Sequence, residues 1–154
     1  MTTTRAQIEA TLVSSRETWM TAVGLSTTTT GSNTDLNGPI AYGIRKAGGS
    51  VASLGNVTNT DVATVAAADL DKLLDFAEYR LLENILGNHE AVDISGLPAS
   101  QNVDQLGKRI QGAIERLEKR IEKLYPETTS GYSMNTYAMT RVDGYSDDIA
   151  ADEV

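Results

Sequence analysis

The 154-residue sequence contains no cysteine, one histidine, one tryptophan and one phenylalanine. The lack of cysteine excludes a disulfide framework, a thiolate metal site and a cysteine nucleophile. Because aromatic side chains are so few, aliphatic residues must build most of the core. No apolar run reaches the roughly 20 residues that cross a bilayer, and the N-terminal segment MTTTRAQIEATL lacks the apolar stretch of a secretory signal. At this length we expect one domain with appendages.

The net charge of −8 is unevenly distributed along the chain. Residues 127–154 contain one basic and six acidic side chains, so they contribute −5 and residues 1–126 contribute −3. Proteins that bind nucleic acids usually carry a clustered basic face, and the composition indicates no such face here. We therefore predict no tight binding to DNA or RNA.

The N-terminal half of the sequence predicts two helices separated by a loop. Thr4 and Gln7 fit a capping box at the start of a helix over residues 4–23, and Gly24 fits the left-handed position that ends it. The segment STTTTGSNTDLNG, which spans 26–38 in the printed sequence, is polar and without periodicity, as is typical of a loop. A short helix follows with Pro39 in its first turn, where proline is tolerated.

The second half of the sequence predicts the two longest helices. Thr60 is expected to cap a short turn before a central helix over residues 67–87, which Gly87 ends. The apolar stripe of the central helix is broad enough to indicate burial on more than one side. The connector EAVDISGLPASQN precedes a last helix over residues 102–124, which Pro126 stops. The apolar stripe of the predicted helix over residues 67–87 includes Leu70, Leu73, Leu74, Leu81 and Ile85.

These elements predict an all-α fold, a small helical bundle of about four helices with long loops and an extended C-terminal arm. Residues 1–126 would form the helical body and residues 127–154 the arm. The composition of the arm also fits a disordered acidic tail. Its large side chains are spaced by small polar residues, and such side chains provide most of the apolar area in a peptide contact. The predicted partner-binding residues are Tyr132, Met134, Tyr137, Met139, Arg141 and Tyr145, with Arg141 paired to a partner carboxylate and with Asp147, Asp148, Asp152 and Glu153 facing basic residues or water.

Few residues could support catalysis or hold a metal. His89 follows the predicted helix end, where it is expected to interact with free carbonyls rather than act as a base or ligand. Glu78 and Glu83 could be metal ligands, but the Glu-x-x-His pairs of di-metal bundles are absent. Salt bridges that also involve Arg80, between helices or subunits, are favoured instead. Phosphate-binding glycine motifs are absent too, so we predict no enzyme activity, no metal and no cofactor, with a hydrolase or metal-dependent protein using Asp and Glu as the weaker alternative.

The last helix carries both signs of charge and a narrow apolar stripe. In LEKRIEKL the signs alternate along the chain, which favours a solvated face or an oligomer contact over a nucleic-acid site. The apolar stripe at three- and four-residue spacing is more typical of a core face within the monomer than of a zipper between copies.

Three segments carry a family resemblance: DLDKLLDFAEYRLLENILGN, VDIS and QLGKRIQGAIERLEKRIEKL, together over roughly residues 61–125. With weaker support from NGPIAYGIRKAGG, they resemble the head–tail adaptor (connector) proteins of long-tailed bacteriophages. RVDGYSDD near the C-terminus is also similar to phage structural proteins. Members of the family often carry a Gly-Pro-Arg-like segment after VDI, where this chain has SGLPASQN.

The resemblance implies a structural role in the virion neck. Such adaptors form a twelve-fold ring below the portal of the DNA-filled head, extend the DNA channel and join the head to stopper or tail-completion proteins. The C-terminal arm of each subunit typically reaches the portal, so residues 127–154 would be the portal-binding arm. DNA would pass without sequence-specific binding through a lumen that is net negative or neutral. The alternative is another phage assembly protein, such as a tail-completion or scaffold-like helical protein.

Overall fold

The computed structural model describes residues 3–94 and 101–127, with side chains for residues 3–89 and 105–127. This part of the chain contains five α-helices and two short 3₁₀ turns, with no β-strand. Four helices are substantial and α3 is a single turn, which confirms the predicted all-α bundle. The helices are α1 (Arg5–Ala22), α2 (Asn37–Lys46), α3 (Asn59–Val62), α4 (Leu70–Ile94) and α5 (Gln101–Leu124).

Both ends of α1 lie close to where the sequence predicted them. The Gln7 backbone N–H donates to the Thr4 hydroxyl, and the Thr4 backbone N–H donates to the Gln7 side chain at 2.9 Å, which forms the capping box. At the other end Gly24 has a φ of 75°, and the Leu25 N–H donates to the Met20 carbonyl at 2.9 Å. Glycine adopts this left-handed conformation without strain, so the helix ends here.

The starts of α2 and α3 differ from the prediction. α2 begins at Asn37, two residues before Pro39, and a 3₁₀ turn precedes it, so the loop predicted for STTTTGSNTDLNG is shorter. Thr58 rather than Thr60 caps α3, because its hydroxyl accepts from the Asp61 N–H while the Asp61 carboxylate accepts from the Thr58 N–H at 2.7 Å. A side-chain acceptor three residues after the cap completes a capping box, and the sequence places none three residues after Thr60.

α4 is the centre of the bundle, because α1, α2 and α5 each pack against it. Its broad buried surface confirms the prediction of a central helix that is covered on more than one side. Leu74 lies at the edge of this surface and is only half-buried. The buried side chains of α4 in this core are Leu73, Phe76, Ala77, Leu81, Leu82 and Ile85.

The predicted end of this helix at Gly87 is wrong, because α4 continues to Ile94. Gly87 does not have a positive φ, and a glycine inside a helix costs only about 1 kcal/mol relative to alanine. Ile85 and His89, on either side of it, are buried, so packing offsets that cost. The predicted connector EAVDISGLPASQN therefore begins as helix, and α5 starts at Gln101.

Arg5 and Glu9 of α1 form a buried ion pair, with 2.9 Å between Nε and Oε1. The Glu9 carboxylate also accepts from the backbone N–H groups of Gly31 at 2.6 Å and Asn33 at 3.1 Å. The Arg5 guanidinium donates to the carbonyl oxygens of Asn33 and Val57. The pair therefore attaches two loops to α1, the one before α2 and the one before α3.

Further buried polar side chains hold the second of these loops. The Asn37 amide donates to the Gly55 carbonyl at 2.7 Å and accepts from the Val57 N–H at 3.3 Å. The Asp61 carboxylate accepts from the Ala52 N–H at 2.9 Å. These contacts hold the loop together with the buried side chain of Val57, and they give the buried Val57 N–H a hydrogen-bond partner.

α2 and α4 cross closely at Gly43, which is buried. A Cβ at this position would overlap the Leu73 carbonyl oxygen and would lie 3.0 Å from the Ala77 Cβ. The absence of a side chain at Gly43 therefore sets how near α2 lies to the central helix.

Gly43→Ala is expected to lower the free energy of unfolding by about 1–3 kcal/mol, because α2 must shift away from α4. Gly87→Ala is the control, since Gly87 is exposed inside α4 and nothing lies within 4 Å of an added Cβ there. Alanine at that exposed position should stabilise the protein by up to about 1 kcal/mol. Urea unfolding followed by circular dichroism would measure both variants, and equal effects would contradict the close crossing.

Candidate functional site

α5 buries one narrow face against α4, its main packing partner. The apolar stripe is thus a core contact within the monomer, as the sequence analysis favoured. The remaining faces of the helix form protein surface. The buried side chains of α5 are Ile110, Ala113, Leu117 and Ile121.

Exposed basic side chains gather on one side of this buried stripe. At about 100° of rotation per residue, four of them fall within a sector of about 60°. No acidic residue of α5 falls within that sector. This set is named the basic flank and comprises Arg109, Arg116, Arg120 and Lys123. It corrects the expectation that the body has no basic face, because the overall charge balance of residues 1–126 hides a local cluster.

Exposed acidic side chains gather on the other side of the buried stripe. Glu115, Glu118 and Glu122 fall within a second sector of about 60° and are all exposed. This set is named the acidic flank. Lys108 and Lys119 lie between the two flanks, on the outermost ridge of the helix. The signs that alternate along the sequence are therefore largely separated around the helix axis.

A groove of about 430 Å³ lies between α4 and α5 beside the acidic flank. Its carboxylates come from Glu83 of α4 and from Glu115 and Glu118 of α5. Leu86 and Ile114 add apolar surface to the lining. Carboxylates next to an apolar wall suit a basic side chain, whose aliphatic stem packs on the wall while its charged end meets the carboxylates.

Tyr79 lies close to two of these carboxylates, those of Glu83 and Glu118. Burial and the nearby charges of Glu83 and Glu118 raise the pKa of Tyr79 to about 12. Its hydroxyl therefore stays protonated and hydrogen-bonds with Glu83. Arg80 also pairs with Glu83 at 2.8 Å, whereas Glu115 and Glu118 are exposed to solvent. The groove thus keeps two accessible carboxylates from α5.

A second feature lies at the C-terminal end of α5, where the predicted arm begins. The Tyr125 hydroxyl donates to the Asp75 carboxylate at 3.2 Å, and Arg120 pairs with the other oxygen of that carboxylate at 3.2 Å. The rings of Tyr125 and Phe76 are 5.9 Å apart, and Tyr42 packs edge-on against Phe76. This set, named the exit cluster, comprises Asp75, Phe76, Arg120 and Tyr125. It fixes the end of α5 onto the start of α4.

Burial is the main influence on the pKa values of Asp75 and Tyr125 in the exit cluster. Asp75 is buried, and the loss of solvation raises the pKa of its carboxyl although Arg120 and Tyr125 act in the opposite direction. Burial, and then the charge of Asp75, raises the pKa of the Tyr125 hydroxyl. The tyrosine therefore remains the hydrogen-bond donor in this pair.

His89 lies inside α4, so its predicted interaction with free carbonyls at a helix end is wrong. The side chain is 9% exposed and faces α5, because a Cβ on Gly107 would lie 3.3 Å from His89 Cε1. Its Nε2 is buried without a hydrogen-bond partner among the residues that the structure describes. The missing side chain of Gly107 provides the room for the imidazole between the two helices.

The charged residues predicted to form salt bridges do so in two different ways. Glu78 pairs with Arg16 of α1 at 2.8 Å, which confirms an interhelical bridge. The Arg16 guanidinium also lies 4.8 Å from the centre of the Trp19 ring. Arg80 and Glu83 pair within α4, one turn apart, so the prediction of a bridge to another helix is wrong for these two residues, while a bridge to another subunit stays a prediction.

The predicted partner-binding residues of the arm lie outside the described residues. These are Tyr132, Met134, Tyr137, Met139, Arg141 and Tyr145, together with the acidic residues that follow them. The described part of the chain ends at Glu127, two residues after the exit cluster.

Within the described residues, no group of three or more His, Asp or Glu side chains is arranged to hold a metal ion. None of the described helices combines the length and the apolar character that a bilayer crossing requires. Comparisons with protein-family models, curated proteins and solved structures found no match to this chain.

Asp75→Asn and Asp61→Asn are expected to change the pH dependence of stability in opposite directions. Burial raises the pKa of Asp75 above its ordinary value of 3.8. The stability that Asp75 contributes is therefore present below this value and is lost as the pH rises through the raised pKa. Hydrogen bonds from Ala52 and Thr58 lower the pKa of Asp61. Its contribution is thus present above 3.8 and is lost as the pH falls through the lowered pKa.

Urea unfolding between about pH 3 and about pH 7 would measure both slopes. Relative to wild type, Asp75→Asn should gain stability as the pH rises, and Asp61→Asn should lose it. Near neutral pH, Asp61→Asn should also cost about 1–3 kcal/mol, because an amide cannot accept every hydrogen bond that the carboxylate accepts. Slopes of the same sign for the two variants would contradict the environments assigned to these carboxyl groups.

Proposed function

We propose that this protein is a structural component of the phage head–tail connector, an adaptor rather than an enzyme. Its copies would form a ring below the portal, with twelve copies as in the family that the sequence resembles. The ring would extend the DNA channel and join the head to stopper or tail-completion proteins. The protein would be assembled in the host cytoplasm and would reside in the neck of the virion.

The observation that carries this proposal is the exit cluster. Tyr125 packs on Phe76 and donates to Asp75, so the helical body is fixed at the point where the arm begins. A long segment with spaced tyrosine and methionine side chains, attached at a fixed base, suits the binding of a neighbouring protein. In the proposal that neighbour is the portal.

The energetics of peptide binding indicate which arm residues would matter. Ordering a segment costs about 1–2 kcal/mol per fixed backbone residue, so the contact must bury large apolar side chains to offset this cost. A fixed base restricts the first residues before binding and reduces the entropy that binding removes. The arm residues that would contact the portal are Tyr132, Met134, Tyr137, Met139 and Tyr145, with Arg141 paired to a carboxylate.

In this role DNA would pass through the lumen of the ring without being bound by it. The net charge of −8 disfavours retention of phosphates. The basic flank of α5 would attract phosphates if it lined the channel. The proposal therefore requires that this flank be covered by protein when the ring forms.

Two variants of the arm test the proposal. Truncation after Pro126 should leave a folded helical body that no longer attaches to portal-bearing heads. In the full-length chain, Tyr132→Ser combined with Tyr137→Ser should weaken attachment at least about tenfold, because aromatic side chains dominate such contacts. Co-sedimentation with the heads measures attachment, and thermal melting checks the fold.

The control for the tyrosine variant is Ser133→Ala combined with Thr136→Ala, which changes small side chains in the same segment. This control should attach like wild type. A truncated protein that co-sediments with portal-bearing heads at wild-type stoichiometry would show that the arm is not the anchor.

A further inference from the structure

We propose that copies of this chain associate side by side through α5, with the basic flank of one copy against the acidic flank and groove of the next. The inference deepens the proposed function, because it rests on the ring and names the surfaces that would join its subunits. The two flanks lie on opposite sides of the buried stripe. A single copy therefore presents a basic surface to one neighbour and an acidic surface to the other.

The spacing of the charges supports a parallel arrangement. Arg116 and Lys123 are seven residues apart on the basic flank, and Glu115 and Glu122 are seven apart on the acidic flank. Each pair spans about 10.5 Å along the helix axis. The two sets are offset by one residue, or about 1.5 Å. Copies related by rotation about a ring axis have parallel helices when the helix runs along that axis. In that orientation Glu115 would face Arg116 of the next copy and Glu122 would face Lys123.

The groove between α4 and α5 would provide a binding site for one of these basic side chains. Glu115 and Glu118 provide accessible carboxylates, and Leu86 and Ile114 provide the apolar wall. An arginine fits this combination, because its planar guanidinium binds carboxylates and its aliphatic stem packs on apolar surface. Single exposed ion pairs are weak, so the contact would depend on several pairs acting together and would weaken as salt is added.

The outer ridge of α5 disfavours a symmetric face-to-face dimer. A parallel dimer of this kind would also match basic with acidic flanks, but it would bring Lys108 and Lys119 of the two copies together between the flanks. Like charges placed opposite each other are destabilising. A head-to-tail contact avoids this repulsion and closes into a ring when the rotation between copies allows it.

Charge reversal tests the pairing directly on the full-length protein. The first variant, Arg116→Glu with Lys123→Glu, places two carboxylates on the basic flank where they would face Glu115 and Glu122 of the next copy. The second, Glu115→Lys with Glu122→Lys, removes negative charge from the acidic flank and replaces it with positive charge. Each variant alone should lower the association constant at least about tenfold, a change that corresponds to about 1.4 kcal/mol. An equal mixture should associate again, because each reversed flank then meets its complement.

Lys108→Glu with Lys119→Glu is the matched control, since it makes the same change of charge on the outer ridge. This control should associate at least as well as wild type. Sedimentation velocity at low and high salt would measure association, and thermal melting would confirm that every variant folds. Wild-type assemblies larger than a dimer, dissociated by salt, are the expected result.

Several outcomes would overturn the interface. These are a wild-type chain that stays monomeric at low salt, reversals that leave association unchanged, or a mixture that does not recover. Loss of duplex-DNA binding in the first variant, with unchanged self-association, would assign the basic flank to nucleic acid instead.

The proposed interface and the proposed adaptor role can be contradicted independently of each other. Monomeric wild-type protein that still attaches to portal-bearing heads through the arm would remove the interface and leave the adaptor. Charge-dependent assemblies that never attach to the heads would leave the interface and remove the adaptor.

Discussion

The buried ion pair of Arg5 and Glu9 is the interaction on which the two long loops depend. Removing two charges from water is costly, and a buried pair is tolerated only when its other donors and acceptors are satisfied. Here the loops satisfy them, since Glu9 accepts from Gly31 and Asn33 while the Arg5 guanidinium donates to Asn33 and Val57. The loop backbone thus provides the hydrogen bonds that the buried charges require. In turn, the two charged side chains hold the loops, which have few apolar anchors, on α1.

With the loops held on one side, the bundle leaves α5 as its most exposed long helix. α4 receives α1 and α2 on its other faces and binds α5 through a single apolar stripe. The exit cluster fixes the C-terminal end of α5, and the two charged flanks border the stripe. In the proposed assembly, the sides of this body would contact neighbouring copies and the arm would contact the portal.

The parts of the fold that local sequence signals determine were predictable. The capping box at Thr4 and the left-handed glycine at Gly24 depend on neighbours within a few residues, and both were predicted close to their observed positions. The prediction that the central helix ends at Gly87 was wrong, because a glycine ends a helix only where packing does not favour continuation of the helix. The burial of Arg5 and Glu9 could not be predicted, since their loop partners lie 22 to 52 residues away in the chain. The flanks of α5 could have been found by projecting the charges around the helix, whereas the groove depends on the register of α4 against α5.

The central claim is that this helical body forms a ring between the portal and the tail. Electron microscopy of the neck of the native particle tests this claim most directly, because it needs no isolated protein and no mutation. The account predicts a ring of small helical bundles directly below the portal, with α5 of each copy beside α5 of the next and with a segment of each copy in contact with the portal. A neck whose density is fully explained by other proteins, with no position for this bundle, would contradict it.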